Sequence, residues 1–198
     1  VINYSQAYIT LTRDELLKRV ASQMSEKRFK HVLGVEQSAL ELADQYGGNL
    51  EKASIAALVH DYCKERPKAD FLAYMTKCSY PVDLIKFGNE IWHGVVGADM
   101  IRDELGIHDE EILNAVRHHT TGAANMSLLE QIIYVADYIE PGRDFPGVDE
   151  AREKAKTDLK EAVAYETQKT LAYLVKKGVP IYSRTLETYN VWVAQLEA

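Results

Sequence analysis

Between Asn49 and Asp61 the chain reads Asn49-Leu50-Glu51-Lys52-Ala53-Ser54-Ile55-Ala56-Ala57-Leu58-Val59-His60-Asp61. Asn49 is a good N-cap, and Leu50 opens a helix expected to run to about Tyr62. The run Ala53–Val59 is apolar apart from Ser54 and ends on an imidazole beside a carboxylate. Both groups are costly to bury unless something pairs with them. This helix therefore carries a polar demand to the edge of a core.

The helical period extends outward in both directions. Upstream, Thr12 and Glu15 form a capping box for a first helix, with Leu11 and Leu16 available as a staple. A second helix is expected from about Glu26 to Tyr46, offering Phe29, Val32, Leu33, Leu40 and Ala43 to the core and stopped by Gly47-Gly48. Downstream, Lys68–Lys77 and Pro81–Phe87 read as shorter helices, each introduced by a proline. Gly94–Leu105 reads as one helix ending at Gly106, and Asp109 caps the segment that carries His118 and His119. Ser127 and Glu130 make a second capping box for a helix towards Glu140, broken by Pro141-Gly142. C-terminal helices are expected within 149–198, with long patterns over Asp158–Lys177 and Thr185–Leu196 separated by Gly178 and Pro180. No useful strand alternation, repeat or linker intervenes, so the expected fold is one all-α domain over 1–198.

Composition fits that expectation and narrows the function. The 198 residues are 46% hydrophobic and 27% charged, which excludes a disordered chain. No apolar run approaches the ~20 residues of a membrane span, and Val1–Arg13 is too polar for a secretory signal. Two cysteines, Cys63 and Cys78, build neither a disulfide framework nor a paired zinc motif. They read as reduced thiols, pointing to the cytoplasm. With 23 basic and 30 acidic residues the net charge is −7, which is wrong for gripping long nucleic acid but compatible with a small phosphorylated ligand held by local cations.

Six histidines are present, at 31, 60, 93, 108, 118 and 119. Asp137, inside Ile132-Ile133-Tyr134-Val135-Ala136-Asp137-Tyr138-Ile139, repeats the His60-Asp61 situation, and His31 does so on the Phe29/Val32/Leu33 helix. Each alone is an ordinary boundary residue. A divalent cation would satisfy His31, His60, Asp61 and Asp137 at once. Imidazole and carboxylate together suit iron, manganese, cobalt or zinc better than magnesium. His60 and Asp61 lie about 100° apart on a helix, so they meet one ion only at a helix end, which Lys64-Glu65-Arg66-Pro67 supplies.

Arg28 stands three residues before His31, Lys64 three after Asp61, and Arg143 just past the Pro141-Gly142 break. Cations beside three separate ligands suit a phosphorylated substrate. A metal there can acidify bound water and polarise a phosphoryl oxygen. His118 and His119 also diverge by about 100°, so one is expected to face the metal centre and the other the substrate or an outer partner. With His93, one of them could hold a second ion bridged by Asp61. His108 lies in a polar turn and has no assigned role.

The pattern H…HD…D, here His31, His60-Asp61 and Asp137, resembles the HD-domain metal-dependent phosphohydrolases. Five longer blocks sharpen the resemblance: Arg28–Val32, Leu58–Lys64, His93-Gly94, Arg117–Gly122 and Ala136–Arg143. They look like the symmetrical bis(5′-nucleosyl)-tetraphosphatase branch, with no departure at these positions. The motifs lie within 27–143. The resemblance implies a helical fold, a divalent transition metal with iron first among the candidates, and hydrolysis of diadenosine tetraphosphate to two ADP. It implies His31, His60, Asp61 and Asp137 as metal ligands, Asp61, Lys64 and His93 in catalysis, and Arg28, Lys64, His93, His118, His119, Thr120 and Arg143 on the substrate, with one ion or a second near His93 and His118. The alternatives are another HD-type hydrolase acting on a nucleoside monophosphate or an alarmone, and a non-catalytic metal or nucleotide sensor. The substrate is the expected partner, with no membrane and no long nucleic acid. The C-terminal helices either close the core or build a homodimer.

Overall fold

The computed structural model describes residues 2–194, and among the described residues every regular element is helical. The helices are α1 (Arg13–Ala21), α2 (Glu26–Tyr46), α3 (Leu50–Val59), α4 (Lys68–Lys77), α5 (Asn89–Val95), α6 (Gly97–Leu105), α7 (Glu110–His118), α8 (Leu128–Ile139), α9 (Val148–Thr157), α10 (Leu159–Lys177) and α11 (Ser183–Trp192), with a 3₁₀ turn at Val82–Phe87 before α5. Both capping boxes form, Thr12 with Glu15 and Ser127 with Glu130. Asn49 and Asp109 cap α3 and α7 as their positions suggested.

The centre of the molecule is α2, α3, α7 and α8. α2 lies along α3 and α8, α7 packs on α3 and α8, and α5 leans on α7. Val32, Val35, Ala39, Ile55, Leu58, Val59, Ile112, Val116, Ile132 and Ile133 fill the space between them and are almost fully buried. Each large aliphatic among them contributes roughly 1.5–3 kcal/mol by leaving water. α9 and α10 cover the far side of α8, and α11 packs on α10. α11 is also tied to the loop after α7: Thr188 Oγ1 donates to the Thr121 carbonyl and Trp192 Nε1 to the Ala123 carbonyl.

Four details depart from the sequence expectations. α3 stops at Val59 rather than near Tyr62, and the chain continues in tight i→i−3 turns, Tyr62 N to Val59 O, Lys64 N to Asp61 O and Arg66 N to Cys63 O. These turns re-aim His60 and Asp61. Gly94–Leu105 is two helices, because α5 ends at Val95 and α6 begins at Gly97. A Cβ at Gly94 would press on the Val116 carbonyl and the His119 ring, and one at Gly97 on Cys63. The helix α9 carries charge on most positions and lacks an apolar run, which hid it in the sequence. Leu33, assigned to the core, is 36% exposed, while its neighbour Val32 is fully buried. Of the expected Thr185–Leu196 pattern, Gln195 and Leu196 lie outside the described residues.

The capping box at Thr12 is remote from the histidine cluster, so it isolates fold stability from chemistry. Thr12→Ala should lower unfolding stability by about 1 kcal/mol in a denaturant titration while leaving metal content unchanged. An unaltered midpoint would mean the box contributes nothing.

Candidate metal and phosphate site

Four helix ends deliver the cluster. His60 and Asp61 follow α3, Asp137 sits in the last turn of α8, His93 lies near the end of α5, and His119 caps α7. His31 comes from the second turn of α2. All but His31 and Asp137, which are half-buried, are buried, and the His60 side chain is wholly shielded from solvent.

Each imidazole is fixed through Nδ1. His60 Nδ1 faces the Ala57 carbonyl at 2.6 Å, His93 Nδ1 the Asn89 carbonyl at 2.7 Å, and His119 Nδ1 the Val116 carbonyl at 2.6 Å. A carbonyl can only accept, so these three nitrogens carry a proton, and in the neutral ring Nε2 keeps its lone pair. His31 Nδ1 meets the Glu140 carboxylate at 3.1 Å, which selects the same tautomer. Four Nε2 lone pairs thus converge on two carboxylates. His31 Nε2 lies 3.0 Å from Asp137 Oδ1, yet His31 Nε2 and His60 Nε2 have no hydrogen-bond partner despite full burial.

The carboxylate of Asp61 divides the cluster. Its Oδ2 is 3.6 Å from His31 Nε2 and 3.5 Å from His60 Nε2. Its Oδ1 is 3.3 Å from His93 Nε2 and 3.5 Å from His119 Nε2, which are 2.9 Å from each other. Donors each ~2.1 Å from a shared transition-metal ion lie roughly 3–3.4 Å apart. The observed separations of 2.9–3.6 Å straddle that spacing on both sides of Asp61, and the donor chemistry fits a divalent transition metal. Such an ion would replace lone-pair repulsion by ligation.

Electrostatics point the same way. Burial pulls the His60 pKa down, but Asp61 and Asp137 overcome it and raise it to about 9. Burial pushes Asp61 up, yet His60, His119 and His93 hold it well below the usual carboxylate range. Asp137 is likewise held low, against burial, by His31 and His60. Burial lowers His93, and the His119 beside it lowers it further. The pocket therefore favours positive charge at the centre.

The cations expected on phosphate ring this centre. Arg28 Nη1 is 2.9 Å from Asp61 Oδ2, and Arg143 Nη2 is 3.0 Å from Asp137 Oδ1. Lys64 Nζ is 2.9 Å from the carboxylate of Glu90, an exposed partner that a phosphate can displace cheaply. Thr120 Oγ1 lies 3.5 Å from His93 Nε2. His118 is the exception. Its Nδ1 bonds to the Glu130 carboxylate, so the histidine beside His93 is His119, and His118 ties α7 to α8 instead.

Glu140 escaped the sequence reading. It stands three residues after Asp137, accepts from His31 and from the Gly142 amide at 2.6 Å, and is buried. A carboxylate behind a ligand histidine fixes its ring and raises its basicity. Glu140 packs against Gly34, where any Cβ would overlap Oε2. The i,i+3 spacing from Asp137 was the available signal.

Matched against known proteins, residues 28–142 fit the HD domain family, and the chain belongs to it. Its relatives are narrower in kind. A Bacillus subtilis protein named "Bis(5'-nucleosyl)-tetraphosphatase, symmetrical" is 45% identical over 91% of this chain and 97% of its own. A Staphylococcus aureus protein of the same name is 36% identical over 90% and 93%. A crystal structure from Clostridium acetobutylicum, described as a predicted HD superfamily hydrolase involved in NAD metabolism, superposes with a TM-score of 0.84 at 39% identity, covering 93% of this chain and 98% of that one.

Gly34→Ala tests the outer support of the centre. Alanine suits a helix interior better than glycine by about 1 kcal/mol, so the fold tolerates it, but Glu140 must shift. Metal affinity, read by competition with a chromogenic chelator, should fall about 10–100-fold. Unchanged affinity would show that Glu140 does not hold His31.

Proposed function

We propose that this chain hydrolyses diadenosine tetraphosphate symmetrically, taking one water and releasing two ADP. The observation that carries the reading is the meeting of a buried nitrogen and carboxylate cluster with Arg28, Lys64 and Arg143 in a chain 45% identical to a protein named for that activity. A nucleoside monophosphate would not need so many cations spread around the centre.

His31, His60, Asp61 and Asp137 would hold the first ion, with iron as the leading candidate and manganese, cobalt or zinc as substitutes. Asp61 Oδ1, His93 and His119 suit a second. When bound, such ions polarise the scissile phosphoryl group and supply an acidified water. Lys64, His93, His119 and Thr120 bind the diphosphate of one nucleoside half, and Arg28 and Arg143 neutralise the chain where it crosses the centre. This holds the second phosphorus from the nucleoside at the reacting position. The P–O bond to the central bridging oxygen then breaks, and its electron pair leaves with the other ADP. Asp61, with one oxygen facing His31 and His60 and the other facing His93 and His119, would join the two halves of the centre. We also place the chain in the cytoplasm, where the free thiols Cys63 and Cys78 stay reduced. No helix of the described residues is long and apolar enough to cross a membrane.

Purified metal-loaded protein should convert diadenosine tetraphosphate into ADP alone. In labelled water, the heavy oxygen should appear on the terminal phosphate of one ADP per turnover. Equal ATP and AMP would show that the clamp holds a different length of phosphate chain and would overturn the symmetrical reading.

A further inference from the structure

A cavity of about 740 Å³ opens beside the metal cluster, within the size range of small-molecule sites. One wall is the first three turns of α2, presenting Lys27, Arg28, Lys30 and Leu33, and the other is the Glu140–Arg143 turn. Lys64, His93, His119 and Thr120 do not line it. His93 and His119 gather at the other oxygen of Asp61 with Thr120 beside His93, and Lys64 pairs with Glu90 on the same helix as His93, so the expected phosphate ligands fall on two sides of the centre.

On a chain of net charge −7, this groove holds four cations against two acids, and both acids are engaged. Glu140 serves His31 and the Gly142 amide, and Glu65 serves the amide and hydroxyl of Ser25. Arg28 and Arg143 sit at the inner end, against the ligands Asp61 and Asp137. Lys27 and Lys30, on the same wall, are exposed and pair with no acid among the described residues. Leu33, three residues after Lys30, turns its apolar side chain into the groove opposite Pro141 instead of into the core.

Resting on the proposed activity, we infer that this groove is the subsite for the second, departing nucleoside diphosphate half. Lys27 and Lys30 bind its phosphates, and Leu33 and Pro141 pack on its nucleoside. The substrate is a dinucleotide with two equal halves. With one half held by Lys64, His93, His119 and Thr120, an in-line displacement sends the leaving oxygen away from the incoming water. Water oxygen bonds to phosphorus, the bridging P–O bond breaks, and the departing ADP carries the electron pair into the cationic groove. One proton from the water passes to solvent. The groove then discriminates a dinucleoside polyphosphate from a single nucleotide.

The test compares two ligands on metal-loaded protein by calorimetry: ADP, and a diadenosine tetraphosphate analogue with a methylene at the central bridge. In Lys27→Ala/Lys30→Ala, affinity for the analogue should fall about tenfold or more through lost charge-assisted contacts, while affinity for ADP, held by Lys64, His93, His119 and Thr120, should change less than about twofold. Leu33→Glu, which adds a negative charge at the apolar wall, should act in the same direction. Equal weakening of both ligands, or no weakening of either, overturns the subsite even if wild-type turnover to ADP is normal. A wild-type protein that does not hydrolyse diadenosine tetraphosphate overturns the proposed function, and this subsite falls with it.

Discussion

Four imidazole Nε2 atoms and two carboxylates converge on one volume. A proton on His60 answers part of that demand, because Asp61 and Asp137 raise its pKa to about 9. It does not answer His31 Nε2, or His93 and His119 set 2.9 Å apart through their Nε2 atoms. Isolated buried charge and unpaired buried polar atoms each cost several kcal/mol. A divalent ion removes both penalties together, so the rest of the molecule is organised around its place.

Helix ends follow from that constraint. A ligand on a regular helix interior has neighbours turned away from it, whereas a terminus lets adjacent residues converge. α3 stops at Val59 so that His60 and Asp61 face one volume, and α7 ends so that His119 turns inward while His118 stays with Glu130. Gly94 lets α5 approach the His119 ring, and Gly34 leaves room for Glu140 behind His31. In both places a missing side chain sets the position of a polar one.

Much of this was legible in the sequence. The caps at Thr12, Asn49, Asp109 and Ser127 act locally, through a side chain and an amide three residues on, and local rules find them. His60, Asp61 and Asp137 stood out because each interrupts an apolar run. Other features depend on neighbours distant in sequence. Which of two adjacent histidines faces the centre is decided by α5 and α8, not by the dipeptide. The break at Val96 lies between Gly94 and Gly97, which face Val116, His119 and Cys63 from distant parts of the chain. Leu33 fits a helical apolar stripe, and only the position of the Glu140–Arg143 turn leaves it beside a cavity.

The same geometry divides work between fold and chemistry. The chain carries a net charge of −7, yet the centre is ringed by Arg28, Lys64 and Arg143, so local charge opposes net charge where a polyphosphate would lie. Anomalous diffraction from crystals of the metal-loaded protein, collected across the absorption edge of the bound metal, tests the central claim most directly. A peak within about 2.0–2.3 Å of His31 Nε2, His60 Nε2, Asp61 and Asp137 is the expected result. A map with no peak there, and with His31 and His60 hydrogen-bonded directly to the two carboxylates, would contradict it.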